Sequence, residues 1–263
     1  MLGAIIGDIV GSVYEHASHK SKNFPLFEPQ CRPTDDSIMT IAIGCACTDT
    51  DCRDEEEFKR AVCNRMRELG RQYPYAGYGG NFYRWLMEDD APAYGSFANG
   101  SAMRVSPVAW VARSLEEAER LAQWSAEVTH NHPDGIKGAQ AVAAAIYMAR
   151  TGASQEEIGL YIHRNYYPLN FSLDSIRPYY HHEISCERSV PQAIRCFLEA
   201  TDYEDTIRNA ISLGGDCDTQ AAIAGSITEA FFGIPEEIQE EAFTHMDETL
   251  TDYYLSYAEE LYD

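Results

Sequence analysis

Apolar residues recur at the spacing of an α-helix along most of this chain, and this periodicity constrains the fold most strongly. The segment EEEFKRAVCNRMREL (55–69) has apolar residues at the i, i+3, i+4 positions of one helix face. Similar helical segments are predicted at 38–47, 115–128, 139–149, 190–200, 205–213, 219–232 and 236–246. Convincing period-2 alternation, the signature of a strand, is absent. The 263 residues therefore predict one all-α domain, 1–263.

The helix termini carry local signals, and the segments between helices are rich in Gly, Tyr and Pro. Ser114 is placed to cap the helix that follows it. Pro191 is predicted at the first helical position of the segment 190–200. The loops are predicted at 70–81, 90–101, 129–138 and 165–189. Because binding residues concentrate on loops held by a rigid scaffold, we expect function to lie on these segments.

The charge balance excludes several partners. The chain has 42 acidic and 20 basic residues, a formal net charge of −22, and no Lys or Arg after Arg208. This argues against nucleic acid and against anionic membrane surfaces, both of which need clustered basic residues. No apolar stretch reaches the ~18 residues of a membrane span, and the N-terminus resembles no signal peptide. Eight cysteines without a CxxC pair suggest reduced thiols. We expect a cytoplasmic protein, with a monomer favoured.

Two acidic motifs stand directly before apolar helices. They are Thr34-Asp35-Asp36-Ser37 and Asp216-Cys217-Asp218-Thr219. Helix capping accounts for one oxygen in each motif, but not for two or three. Adjacent carboxylates beside a buried helix repel each other unless a cation neutralises them. Carboxylates and hydroxyls are hard ligands that suit Mg²⁺, Mn²⁺ or Ca²⁺ and not zinc, so we expect a two-metal site if the motifs meet.

A third motif, GDIVGSVYE (7–15), opens the chain. Its spaced glycines are typical of close helix packing, and Glu15 lies just beyond them. On spacing alone, a surface glutamate is the simpler interpretation of that residue.

Taken together, the ordered motifs GDIVGSVYE, TDDS, NGSAMR, THNHPDGIKGA and GGDCDT resemble those of the ADP-ribosylglycohydrolase family. That family includes the dinitrogenase reductase-activating glycohydrolase and a lens crystallin relative. The resemblance runs from residue 3 to about residue 232. It implies a compact orthogonal bundle of helices with a binuclear Mg²⁺ (or Mn²⁺) centre. The implied substrate is an ADP-ribosylated protein or a related small ADP-ribosyl compound.

The resemblance also implies roles for individual residues. The implied metal ligands are Thr34, Asp35, Asp36, Asp216, Asp218 and Thr219. Glu15 is the expected free carboxylate for proton transfer or water positioning, a duty that Asp36 and Asp218 would share. The implied substrate-binding residues are Gly79, Gly80, Gly95, Ser96, Phe97, Asn99, Gly100, Ser101, Met103 and His130, with Arg104 next in the motif. Small residues with free amides suit an anionic diphosphate.

Several alternatives stay open at this point. His132 either takes part in the site or only shapes the turn into Pro133. The run His181-His182-Glu183 resembles a set of metal ligands, but adjacent histidines point in different directions, so a position on a surface loop is the simpler interpretation. Cys186 has no identifiable His or Asn partner, which argues against a nucleophilic thiol. A catalytically silent ADP-ribose-binding member and a two-metal phosphohydrolase are the competing functions. The linkage cleaved, whether to arginine, serine, a base or an acetyl ester, is open.

Overall fold

The computed structural model describes residues 1–17 and 19–262. Their regular structure is helical, without strands, and one isolated antiparallel β-bridge joins Ala98 and Ser185. The helices are α1 (Leu2–Gly11), α2 (Asp35–Asp49), α3 (Glu55–Gln72), α4 (Gly80–Met87), α5 (Gly100–Met103), α6 (Ser106–Val111), α7 (Leu115–Glu127), α8 (Pro133–Arg150), α9 (Gln155–Asn165), α10 (Leu173–Ile176), α11 (Cys186–Leu198), α12 (Tyr203–Leu213), α13 (Cys217–Phe232), α14 (Glu236–Thr244) and α15 (Glu248–Tyr262). The predicted all-α fold class is confirmed. Among the described residues, no helix is both long and apolar enough to cross a membrane.

Helix α13 lies at the centre of the molecule. It packs against α1, α8, α11 and α12, and α1 is its most extensive neighbour. Every residue of α1 is buried, as is every residue of α13 from Cys217 to Glu229. A helix that is apolar on all sides belongs in a core, where each face meets another element. The core cluster itself extends from α1 to α15.

The packing of α1 on α13 depends on glycines at four-residue spacing. A Cβ atom at Gly3 would lie 2.4 Å from the carbonyl oxygen of Gly225. A Cβ at Gly7 would lie 2.1 Å from the carbonyl oxygen of Ala221, and one at Gly11 would lie 2.4 Å from the Cα of Asp218. The atoms that each added Cβ would meet first belong to the backbone of α13, so they cannot rotate away as a side chain can. The end of α1 is thereby held directly beside the start of α13.

The predicted start of α11 was wrong by one turn. Pro191 was expected at the first helical position, but α11 begins at Cys186 and contains Pro191 in its interior. The amide of Cys186 donates to the carbonyl of Phe97 at 3.0 Å. This tertiary hydrogen bond extends the helix beyond the start that the proline alone would indicate.

Two helix starts, after Ser114 and after His132, test the predictions made from local sequence signals. The Ser114 side chain accepts a hydrogen bond from the amide of Glu117, so its predicted cap is confirmed. Helix α8 begins at Pro133, with His132 as its N-cap, so the second half of the predicted loop 129–138 is helical. Pro is favoured at the first helical position, which accounts for this early start.

Replacing Gly7 by alanine should destabilise the protein. The added methyl group would meet the backbone of Ala221, so α1 would have to move away from α13. We expect Gly7→Ala to lower the free energy of unfolding by about 1–3 kcal/mol, measured by urea denaturation.

Gly80→Ala is the matched control, because nothing lies within 4 Å of a Cβ at that position. Its unfolding free energy should stay within about 0.5 kcal/mol of the wild-type value. Equal stability of the two variants would show that the helices are not in the contact described.

Candidate metal and substrate site

A cavity of about 580 Å³ opens where α1, α2 and α13 meet. Glu15 reaches it from the turn that follows α1. Asp35 and Asp36 reach it from the start of α2, and Asp218 reaches it from the start of α13. The two acidic motifs, which are far apart in the chain, therefore lie on one cavity. All six predicted metal ligands line it: Thr34, Asp35, Asp36, Asp216, Asp218 and Thr219.

The carboxylates form two compact groups. Oxygen atoms of Asp8, Asp36 and Asp218 lie within 4.8 Å of one another, and so do those of Glu15, Asp216 and Asp218. Asp218 belongs to both groups. Two adjacent groups of hard oxygen atoms that share one carboxylate match the ligand type of a two-cation site.

Asp8 is a site residue that the sequence analysis missed. Its carboxylate accepts hydrogen bonds from the amide and hydroxyl of Thr34, at 2.8 and 2.5 Å, and from the amide of Ser37 at 3.0 Å. The Ser37 hydroxyl also donates to it. Asp8 therefore fastens the start of α2 to α1. The available signal was an acidic residue in the interior of an otherwise apolar helix.

The two threonines are oriented as oxygen ligands. The Thr34 hydroxyl donates to Asp8, and the Thr219 hydroxyl donates to Asp36 Oδ2 at 3.3 Å. Since each hydroxyl proton is directed at a carboxylate, the lone pairs of each oxygen remain available to a cation. Asp36 Oδ1 is buried and has no hydrogen-bond partner within the described chain. An orphaned buried carboxylate oxygen fits a divalent cation, so this donor set suits Mg²⁺ or Mn²⁺.

Burial makes these charges costly without a cation. Burial, followed by the neighbouring Asp8, raises the pKa of Asp36 well above its ordinary value. Burial and then Asp216 do the same to the pKa of Asp218. The pKa of Asp35 is raised to about 7, mainly by burial and then by Asp8. In the chain alone such a cluster disfavours the charged forms of these carboxylates, and a bound cation would compensate for that cost.

The substrate-binding residues implied by the resemblance divide into two sets. Those on the cavity wall are Gly79, Gly80, Ser96, Asn99, Gly100, Met103 and His130. Those outside the wall are Gly95, Phe97 and Ser101. The Gly95 amide donates to Asn131 Oδ1 at 2.7 Å, and the Ser101 hydroxyl donates to the carbonyl of Gly135 at 2.7 Å. Phe97 is 52% exposed.

A β-bridge attaches the 94–100 loop to the segment before α11. The Asn99 amide donates to the carbonyl of Ile184 at 2.8 Å, beside the Ala98–Ser185 bridge. The Asn99 side chain donates to Asp216 Oδ2 at 2.6 Å, so this loop is also joined to the carboxylates. The bridge brings Ile184 and His182 to the cavity wall. The sequence analysis interpreted His182 as a surface residue and did not single out Ile184.

The remaining histidines and Cys186 take other positions. His132 Nδ1 accepts from the amide of Asp134 at 3.1 Å and shapes the helix start, outside the cavity wall. His181 lines a separate cavity of about 230 Å³. The Cys186 thiol donates to the carbonyl of Ala98 at 3.2 Å, and burial raises its pKa to about 12. A thiol so placed is a packing group.

Comparison with known proteins identifies the family of this chain. The family model for ADP-ribosylglycohydrolase matches residues 1–263, so the chain belongs to the ADP-ribosylglycohydrolase family. It is 26% identical to the ADP-ribosylhydrolase ARH3 of Mus musculus over 94% of this chain and 88% of that relative. It is 23% identical to the ADP-ribosylarginine hydrolase Tri1 of Pseudomonas putida, over 100% of this chain and 76% of the relative.

Among solved structures, an ADP-ribosylglycohydrolase-related protein complex has the same fold. The TM-score is 0.61 at 20% identity, with 97% of each chain covered.

Cys186 should resist alkylation in the native protein. At pH 8 a buried thiol with a pKa of about 12 is almost wholly protonated, and its thiolate fraction grows only as the pH rises toward that value. We expect iodoacetamide to leave the Cys186 peptide unmodified in the folded protein and to modify it in guanidinium, as measured by mass spectrometry. Equal labelling in both conditions would contradict this burial.

Proposed function

We propose that this chain is a divalent-cation-dependent hydrolase that cleaves the glycosidic bond between ADP-ribose and a modified side chain or related group. The observation that carries the proposal is the pair of carboxylate groups sharing Asp218 on the wall of one cavity. Family membership and the ADP-ribosyl hydrolases among its relatives support the same activity. The Tri1 relative makes an arginine linkage one candidate for the bond that is cleaved.

The cations, two Mg²⁺ ions with Mn²⁺ as the alternative, would be held by oxygen atoms from the starts of α2 and α13. The proposed ligands are Thr34, Asp35, Asp36, Asp216, Asp218 and Thr219. When bound, such ions supply Lewis-acid polarisation and orient the ribose hydroxyls. Asp8 is fully engaged with donors from Thr34 and Ser37, so we assign it to positioning the ligands instead of binding the ions.

The diphosphate of the substrate would lie against the loop before α5. Ser96 and Gly100 line the cavity, and within residues 1–17 and 19–262 no hydrogen bond joins either backbone amide to a protein acceptor. Free amides bind an anion without requiring a basic side chain. This matters in a protein whose net charge is −22, because anion binding must then be arranged locally. Asn99 connects the loop to Asp216 and sets its distance from the carboxylates.

Glu15 is the proposed proton acceptor. Its side chain is 30% exposed, unlike the buried Asp36 and Asp218, so water has access to it. In the proposed reaction a water oxygen bonds to the anomeric carbon of the ribose, Glu15 takes a proton from that water, and the bond to the leaving atom breaks. The leaving atom gains a proton, which completes the addition of water. Asp36 and Asp218 would share in orienting this water.

Cation binding should stabilise the folded protein. A ligand held by the native state alone stabilises it by about 2.7 kcal/mol at a hundred times its Kd. We expect millimolar Mg²⁺ or Mn²⁺ to raise the Tm of EDTA-treated protein, measured by differential scanning calorimetry, and Asp218→Asn to remove most of the increase. Asp90→Asn, at an exposed acidic residue away from the cavity, is the control and should respond as the wild type does. An unchanged wild-type Tm would count against the metal site.

Glu15→Gln should abolish most turnover while leaving substrate binding in place. The amide keeps the size of the side chain but accepts no proton, so we expect kcat to fall by about 10²–10⁴-fold. The assay follows release of ADP-ribose from arginine-, serine-, base- and acetyl-linked substrates by chromatography, with and without EDTA. Binding of ADP-ribose to the variant is measured by calorimetry.

The same assay separates the competing functions. Free ADP-ribose from at least one substrate supports the proposed hydrolase. Release of phosphate or AMP would indicate a phosphohydrolase, and tight binding without any product would indicate a silent binding protein.

A further inference from the structure

A buried hydrogen-bond chain runs from Arg104 through Thr129 to His130 and ends at the cavity. The Arg104 guanidinium donates to the Thr129 hydroxyl at 2.9 Å, and that hydroxyl lies 2.7 Å from His130 Nδ1. Arg104 and Thr129 are fully buried, and His130 is 3% exposed. Arg104 also donates to the carbonyl oxygens of Gly100, at 3.0 Å, and Ser125, at 3.4 Å, and its guanidinium carbon lies 5.8 Å from the centre of the Phe82 ring.

Only one arrangement of protons gives every donor in this hydrogen-bond chain an acceptor. A guanidinium donates and never accepts, so the Thr129 oxygen must accept from Arg104. The hydroxyl has one proton of its own, and among the described residues its only other polar neighbour is His130 Nδ1. If Nδ1 were a donor, the hydroxyl proton would be buried without an acceptor, which is costly. Thr129 therefore donates to Nδ1.

The second ring nitrogen of His130, Nε2, is the one left for a ligand in the cavity. With Nδ1 as an acceptor, a neutral His130 has its proton on Nε2. Nε2 lies 3.1 Å from the position that a Cβ at Gly100 would occupy, and both residues line the cavity. Burial, and then the nearby Arg104 charge, lowers the pKa of His130 well below its ordinary value, so the ring stays neutral.

We propose that Arg104 and Thr129 are positioning residues that hold His130 as the neutral Nε2–H tautomer, so that it donates a hydrogen bond to an anionic oxygen of the ligand. This proposal rests on the proposed function for the identity of the ligand, an ADP-ribosyl diphosphate. The opposite tautomer would present a lone pair to the same oxygen and repel it. The Arg104 guanidinium donates to Gly100, Ser125 and Thr129, and Arg104 also lines the cavity.

The test reads the tautomer directly. Two-bond ¹H–¹⁵N NMR correlations of ¹⁵N-histidine-labelled protein, without cation or ligand, report which ring nitrogen carries the proton. The spectrum of His130→Gln assigns the signal by its absence. We expect wild-type His130 to be protonated on Nε2 alone. An Nδ1–H signal or a doubly protonated ring of His130 at pH 7 would overturn the proposal.

Thr129→Val and Thr129→Ser test the role of the hydroxyl. Valine keeps the shape of threonine but donates nothing to Nδ1, whereas serine keeps the donor. We expect Thr129→Val to give a mixture of tautomers and to weaken ADP-ribose binding by about tenfold to a hundredfold, measured by calorimetry, and Thr129→Ser to restore both properties. Equal tautomers and affinities in the two variants would overturn the proposal.

These readouts separate this inference from the proposed function. An Nε2–H tautomer that depends on Thr129, in a protein that binds ADP-ribose but releases none from its substrates, would support the inference and contradict the hydrolase. ADP-ribose release by a protein with the Nδ1–H tautomer would support the hydrolase and contradict the inference.

Discussion

The close contact of α1 with α13 is the constraint on which the rest of the structure depends. Helices ordinarily pack with their axes 8–10 Å apart, but Gly7 and Gly11 leave no room for even a methyl group between these two backbones. The contact places Asp8 of α1 beside Asp218 of α13. Asp8 in turn binds the first turn of α2 through Thr34 and Ser37, so three helices converge on one point.

The convergence opposes folding electrostatically, because it brings several carboxylates together away from water. Burial and mutual repulsion raise the pKa values of Asp36 and Asp218, which means that their charged forms are disfavoured in the protein alone. The carboxylates nonetheless differ in their surroundings. Asp8 accepts hydrogen bonds from the amides and hydroxyls of Thr34 and Ser37, while Asp36 Oδ1 has no donor among the residues that the structure describes. A saturated carboxylate acts within the scaffold, and an unsatisfied one is available to a ligand.

Much of the helical architecture could be predicted from periodicity, since residues three and four apart in the sequence lie on the same face of a helix. The boundaries were less predictable where tertiary contacts act on them. Pro191 indicated a start that the Cys186–Phe97 hydrogen bond moves back by a turn. Within the candidate site, the two acidic motifs were recognisable because capping explains one oxygen and each motif has more. Asp8 was missed because a single acid in an apolar helix has many structural explanations.

The sequence by itself determined the all-α class, the family motifs and the acidic helix starts, since all of these are patterns of neighbouring residues. Only the tertiary structure decided which oxygens meet. Asp36 and Thr219 are 183 residues apart in the chain, yet their side chains are hydrogen-bonded. The same holds for Ile184, brought to the cavity by the bridge at Ala98, and for the contact of Arg104 with Thr129 beside His130. Distances and proton directions of this kind depend on how the helices pack, and no local pattern encodes them.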